Sequence, residues 1–553
     1  MLSVSQLLGC VLAVALSICW RSIINVYASP LRTLLGPPSP SLFYGNARQV
    51  CQASSNVRTT RLWTQKYGSN IFCRWLFMIP CLWTADPVAI RHILHSGSYG
   101  KPWEARISAA RVAGDSVLVA EGEATLLWCS LTLTASSFTE GEKHHGQRTI
   151  LNPAFGPAQI RQLMDIFLDK SAELRDIWLD EITASGGSVR MDVVDPLKKM
   201  TLDVIGLACF GYHLEALNAR GSPNELNQAF YRIFLATPPI SILRIIKDYL
   251  PFLDLFPNKR TMAIRDARAT MRRIGTQLIE EKKAAIMRER SDSSGQLDKK
   301  DLPGKDLLTL LIKANMATNL PENQRLSDEE VLSLAGHETT STAAAWCLFA
   351  LTQSPRVQDK LREELLGLGT DSPTMDDIAS LPYLEWVIRE TLRLHAPVAF
   401  TLRTALKDDV IPVSEPIVDR NGNTQHEIRI AKGNRAIFSI LAVHHSTSIW
   451  GDDALEFRPE RWENPPEALS TIPGVWGHLL TFAGGPHACI GYRFSIAELK
   501  VLLFTLVRAF EFELAVDPAD ITCVGMFTRR PAVDGELNKG TQLPLLVRPY
   551  VAS

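Results

Sequence analysis

The segment Thr481 to Arg493, TFAGGPHACIGYR, constrains this chain more than any other stretch. Its skeleton is Phe482, Gly485, His487, Cys489 and Gly491, and a run with helical spacing follows from Ser495 to Leu506. A cysteine just before a helix N-terminus has its thiolate favoured by the helix dipole. Glycines let the backbone come close to a flat cofactor, and their N–H groups can turn towards a sulfur. An isolated cysteine is ordinarily a buried small hydrophobe, and that reading holds for the remaining cysteines. It fails for Cys489, because at average residue usage this five-point pattern arises by chance about 10⁻⁴ times per chain.

The rest of the chain has to enclose whatever Cys489 faces. A length of 553 residues would allow several cores. No repeat and no clear linker divides them, so one globular domain is expected. With 58 basic and 59 acidic residues the net charge is -1, and no global field draws the chain to nucleic acid. The ten cysteines are sparse and form no CxxC pair, which excludes a disulfide framework and a zinc site and fits a reducing compartment.

Apolar residues recur with helical period at Leu163, Met164, Phe167, Leu168, Leu174, Ile177 and Trp178. Helical signals then dominate to about residue 400, interrupted by a polar loop around Ser291 to Asp301. Strand signals come late: Asn421-Gly422 makes a turn, and IRIAKGNRAIFSI reads as two strands around Lys432 to Asn434. The expected class is mainly α with a small β portion.

Leu7 to Trp20 carries no charge, and the apolar character from Leu2 to Ile24 is interrupted only by Arg21, which can snorkel. Residues 1–28 therefore read as a membrane anchor helix. A cleaved secretory signal is the competing reading, weakened by the lack of a basic start and the few cysteines. Gly36, Pro37, Pro38 and Pro40 stiffen residues 29–45, which read as a hinge before the main domain, 46–553.

FAGGPHACIG resembles the haem-binding loop of the cytochrome P-450 superfamily, and further motifs follow in that family's order. The resemblance implies a P-450 fold, haem b as cofactor and Cys489 as axial ligand of its iron, whose electron donation favours O–O cleavage. Phe482 is similar to the aromatic residue that shields the sulfur, and His487 stands where the family carries Arg or His. In YLEWVIRETLRLHAPV, Glu390 and Arg393 share one helical face and can pair, a weak signal alone. Followed by FRPERW, they resemble the family's buried network of Glu390, Arg393 and Arg461.

AGHETTST, Ala335 to Thr342, lies in an apolar helix pattern where hydroxyls and a carboxylate are poor choices for stability. Gly336, Glu338 and Thr339 resemble the family's oxygen-activating segment, which implies that Glu338 and Thr339 relay protons, with Thr340 the alternative hydroxyl. EKHHGQRTILNPAF resembles the helix that serves a haem propionate, through Arg148 and His144 one turn earlier. Arg403 resembles a further propionate partner, and His487 another contact.

Two places depart from the family pattern. Glu121-Gly122-Glu123 recurs as Glu140-Gly141-Glu142, and residues 124–139 between them read as an intron left in the coding sequence. Only Ser333 and Leu334 separate DEEVL from AGHETT, so a helix capped at Ser327 reaches Thr339 in roughly 18 Å at 1.5 Å per residue. The expectation is mis-splicing at both places, and a product that folds poorly or holds haem weakly.

The function implied by the resemblance is insertion of one oxygen atom of O2 into a small lipophilic molecule, in fungal secondary metabolism or xenobiotic oxidation. The implied partners are NADPH-cytochrome P-450 reductase, a lipophilic substrate and membrane lipid, with no nucleic acid. Arg493 and Lys500 are the candidates for attracting the reductase. The implied location is the endoplasmic reticulum membrane, crossed once, with a monomeric haem domain in the cytosol. The rivals are a reductase-independent haem-thiolate isomerase or dehydratase, and an inactive product of mis-splicing.

Overall fold

In the computed structural model the described residues are 26–51, 53–106, 140–218, 224–234, 259–292, 306–315, 336–525 and 528–551. The proposed anchor, except its last residues, the 124–139 insert and the segment from Ser327 to Ala335 lie outside them. Among the described residues no helix is long and apolar enough to cross a membrane.

Seven helices position the site: α1 (Pro87–His95), α2 (Glu140–Ala154), α3 (Met164–Ala184), α4 (Val194–Phe210), α5 (His337–Thr352), α6 (Pro382–Leu394) and α7 (Tyr492–Ala509). The β portion starts with β1 (Asn70–Arg74), β2 (Pro80–Thr84), β3 (Tyr99–Gly100) and β4 (Val189–Asp192). It continues through β5 (Phe400–Ala405), β6 (Asp409–Val418), β7 (Thr424–Ile430) and β8 (Arg435–Ser439). Near the C-terminus come β9 (Phe510–Leu514), β10 (Ile521–Val524), β11 (Arg530–Val533) and β12 (Pro544–Pro549). A five-stranded sheet has the order β1-β2-β8-β5-β3, a three-stranded one the order β4-β12-β9, and β6–β7 and β10–β11 are hairpins.

The period expected from Leu163 onward appears as α3, with Phe167, Leu174 and Trp178 buried. The α7 helix is buried through Leu499, Leu502, Leu503 and Leu506 and packs against α3 and α5. Phe167 meets Phe494, and Trp178 meets Phe510 further along both segments, so α3 and α7 run side by side in the same direction. Asn421-Gly422 does turn β6 into β7: Asp419 Oδ1 accepts the amides of Asn421 and Asn423, and Gly422 has φ 83°. The strands either side of Lys432 to Asn434 are β7 and β8, which join different neighbours; β7 pairs with β6, while β8 pairs with β2 and β5.

The 29–45 stretch lies docked against the body. Leu31 and Leu34 are buried, and Thr33 and Leu34 accept hydrogen bonds from the backbone amide and Nε of Arg420. A Cβ on Gly36 would sit 1.8 Å from the Phe72 carbonyl oxygen, so only glycine permits this approach.

Candidate active site

Between α5 and the Cys489 loop lies a cavity of about 440 Å³. Of the cysteines described, Cys489 is exposed and the others are buried. The space to which it is exposed is this cavity, deep inside the protein.

The loop holding Cys489 is fixed from several sides. Leu480 N–H donates to His444 Nε2 at 2.9 Å, and Thr481 Oγ1 donates to the Leu392 carbonyl at 3.0 Å. Cys489 N–H donates to the Phe482 carbonyl at 2.9 Å. Burial pushes the Cys489 thiol up, while the Gly491 amide and the Arg148 guanidinium oppose that shift. Two glycines of this loop are also required by packing within the protein, Gly485 first among them. Its Cβ would sit 2.7 Å from the Leu94 carbonyl of α1, and its φ is 68°. One residue earlier, a Cβ on Gly484 would sit 1.7 Å from the Pro473 carbonyl.

Behind the loop, Glu390, Arg393 and Arg461 come together buried, as the family resemblance implies. Glu390 accepts two bonds from Arg393 at 2.8 and 2.9 Å and one from Arg461 at 2.9 Å. Trp462 Nε1 and the Arg458 amide each add another at 3.0 Å. Arg461 also reaches Asp453 at 3.1 Å and holds that carboxyl below the usual range. The two carboxylates match two guanidiniums, and the spare N–H groups find backbone carbonyls. Burial of the group therefore leaves no charge unmatched.

The other wall of the cavity is the first turn of α5. Thr339 is exposed to the cavity, with its hydroxyl 3.3 Å from the Gly336 carbonyl. Thr340 also lines the cavity, but its hydroxyl donates to Ser495 Oγ of α7 at 3.1 Å. Glu338 does not join them. Its carboxylate meets Arg530 Nη1 at 3.1 Å and lines a separate cavity of about 50 Å³ with Lys198 and His337. Consecutive helical residues lie about 100° apart, so Glu338 and Thr339 point to different sides of α5.

Basic groups complete the large cavity: Arg148, His144, Arg403, His487 and Lys101 all line it. Arg148 Nη1 donates to the carbonyl of Ala488 at 2.7 Å, and the His144 and His487 rings lie 4.2 Å apart. Arg403 donates to Thr401 Oγ1 at 2.8 Å.

A family model described as cytochrome P450 matches residues 133–533. The chain belongs to the cytochrome P450 family. Cytochrome P450 monooxygenase 205 of Postia placenta is 48% identical, with 96% of each chain covered. Cytochrome P450 monooxygenase 128 of the same fungus is 47% identical, covering 96% of this chain and 95% of that one. A ganoderic acid synthetase of Ganoderma lucidum is 32% identical over 89% of each.

A cytochrome P450 implies a haem-thiolate cofactor, and the donor set fits one. A cysteine sulfur open to the cavity faces a wall of hydroxyls, alanine and glycine, and several cations stand ready for two carboxylates. Sequence reasoning missed Arg530, Ser495 and Lys101, which no spacing tied to the motifs. It also placed Lys500 on the surface. The Lys500 side chain is instead buried against Glu385 at 2.8 Å, and so is not a free steering charge, whereas Arg493 is exposed.

Proposed function

We propose that this P450 monooxygenase hydroxylates, or similarly oxidises, a small lipophilic substrate through a haem whose iron is bound by Cys489, with electrons from NADPH through a separate reductase. The observation that carries the reading is Cys489, the one exposed cysteine among the described residues, opening onto the cavity opposite the α5 hydroxyls. When bound, the haem supplies the oxygen-activating chemistry. Arg148, Arg403, His144 and His487 hold its carboxylates, and Phe482 borders the sulfur. Thr339 offers the hydroxyl that passes a proton into the cavity. Glu338, reached by solvent on the other side of the helix, supplies that proton after leaving Arg530.

Similarity to fungal monooxygenases and to a ganoderic acid synthetase supports a role in fungal secondary metabolism. The apolar stretch from Leu2 to Ile24 supports single-pass anchorage at the endoplasmic reticulum with the haem domain in the cytosol.

Cys489→Ser tests the reading. The reduced, carbon-monoxide-treated variant should lose the Soret band of thiolate ligation together with NADPH-dependent product formation. Survival of both would overturn it. Glu338 facing away from the cavity favours a second reading, reductase-independent rearrangement of a peroxide. Turnover on hydroperoxide alone, with none on NADPH and reductase, would establish that one. Substrate class follows from shifts of the haem spectrum across terpenoids, steroids, fatty acids and aromatics.

A further inference from the structure

Arg529 is a buried cation with no carboxylate against it. The residue is 7% exposed, and its Nε and Nη1 have no hydrogen-bond partner. Among the described residues no Asp or Glu forms an ion pair with it. Its titratable neighbours His395 and His445 are pushed down to about 3, mainly by burial, and are uncharged at neutral pH. The remaining nitrogen, Nη2, lies 3.4 Å from Cys523 Sγ, which is also 7% exposed. A buried charge without a partner is strongly unfavourable. The atom in hydrogen-bond reach of this guanidinium that is able to carry a negative charge is the Cys523 sulfur.

We propose that Cys523, whose sulfur accepts from the otherwise unpartnered guanidinium of Arg529, is a site of oxidation by hydrogen peroxide. The sulfur attacks one peroxide oxygen; the S–O bond forms as the O–O bond breaks, sulfur gives up two electrons, and the thiol proton leaves with the departing oxygen as water. Cys523 becomes a sulfenic acid, keeping the proton of the transferred oxygen. Trp346, Phe349 and Ile521 pack around Cys523, so a reagent the size of water enters where a bulky one does not.

The position ties this sulfur to the substrate side. The Arg529 amide donates to the Pro397 carbonyl at 2.7 Å, and Thr528 bridges to Val398. Pro397 and Val398 both line the large cavity. An oxygen added to Sγ presses on Arg529 and shifts this rim, so oxidation weakens substrate binding.

The test uses the holoenzyme with imidazole on the iron, so that the metal does not consume the peroxide. After brief peroxide treatment the protein is unfolded in dimedone and the labelled cysteines are mapped by mass spectrometry. Cys523 should carry the label ahead of buried Cys347 and Cys209; Arg529→Gln should abolish that preference and Arg529→Lys keep it. Equal labelling of the three cysteines in the wild type overturns the proposal, whether or not the variants hold haem. Undiminished preference in a folded Arg529→Gln overturns it as well.

Discussion

Two acids of this molecule meet arginines, and the contacts are built in opposite ways. Glu390 has no exposed surface and receives five hydrogen bonds, from Arg393, Arg461, Trp462 and the Arg458 amide. Glu338 keeps 23% of its side chain exposed, and its ion-pair partner is Arg530 at 3.1 Å. The first acid cannot move without stranding two guanidiniums in the interior. The second gives up one contact and gains water. Behind the sulfur the acid is locked in by buried partners, whereas on the far side of α5 the acid keeps water within reach. A strut and the proposed proton carrier make these different demands of the same pair of residue types.

The largest effect should come from breaking the strut. Glu390→Gln leaves Arg393 and Arg461 short of a buried counter-charge, a loss of about 3–5 kcal/mol. Denaturant unfolding should show it, with little haem incorporated. A variant with wild-type stability would mean that the network is ornamental and the contrast false.

Next is acid. His444 is fully buried with its pKa well below 6.5 through desolvation, and it accepts the Leu480 amide, a role that requires the neutral ring. His395 and His445 lie at about 3, although each retains some surface. For each of them the unfolded chain binds the proton more readily than the folded one. Their stabilisation is therefore complete above pH 6.5 and lost as pH falls towards 3. The slope is at most about 1.4 kcal/mol per pH unit for each histidine, less for those that water reaches. Unfolding midpoints between pH 7 and 4 should fall accordingly, and His395→Phe should flatten the curve.

The local half of the strut was legible in the sequence and the setting of the proposed proton carrier was not, for a physical reason. Glu390 and Arg393 sit three apart on one helix, so local geometry brings them together, while Arg461, 71 positions beyond Glu390, entered through the family resemblance; the Cys489 loop is likewise a local pattern. Arg530 reaches Glu338, and Ser495 reaches Thr340, across long sequence separations set by packing of β11 and α7 against α5. No period in the sequence encodes those meetings. The same holds for Gly484 and Gly485, whose presence was plain but whose collision partners, Pro473 and Leu94, come from other segments. Helix class and the β6–β7 turn were read correctly because both are local. The pairing of β8 with β2 was not, because it is remote in sequence.

A smaller change sharpens the view of the rigid side. Ala483, beside the Cys489 loop glycines, has φ 55° and ψ -161°, a region that glycine occupies freely and alanine does not. Ala483→Gly relieves about 1–3 kcal/mol of backbone strain and costs roughly 0.5–1 kcal/mol through the freer unfolded chain. The net expectation is a modest gain in thermal midpoint, with the thiolate Soret band unmoved. A fall in midpoint would show that the alanine methyl packs well enough to outweigh its conformation.

The smallest change in stability should come from Arg530→Gln, which frees Glu338. A pair in which the carboxylate meets water contributes about 0–1 kcal/mol, so the unfolding midpoint should barely move. Function is where the two acids part company. With Arg530 gone, Glu338 no longer has to leave a partner before it turns, and the product formed per NADPH should hold or rise. Glu338→Gln removes the titratable proton and should lower that ratio while leaving haem content intact. If Arg530→Gln unfolds the protein as Glu390→Gln does, Glu338 is a second strut, and the hydroxyls of α5 draw their proton from elsewhere.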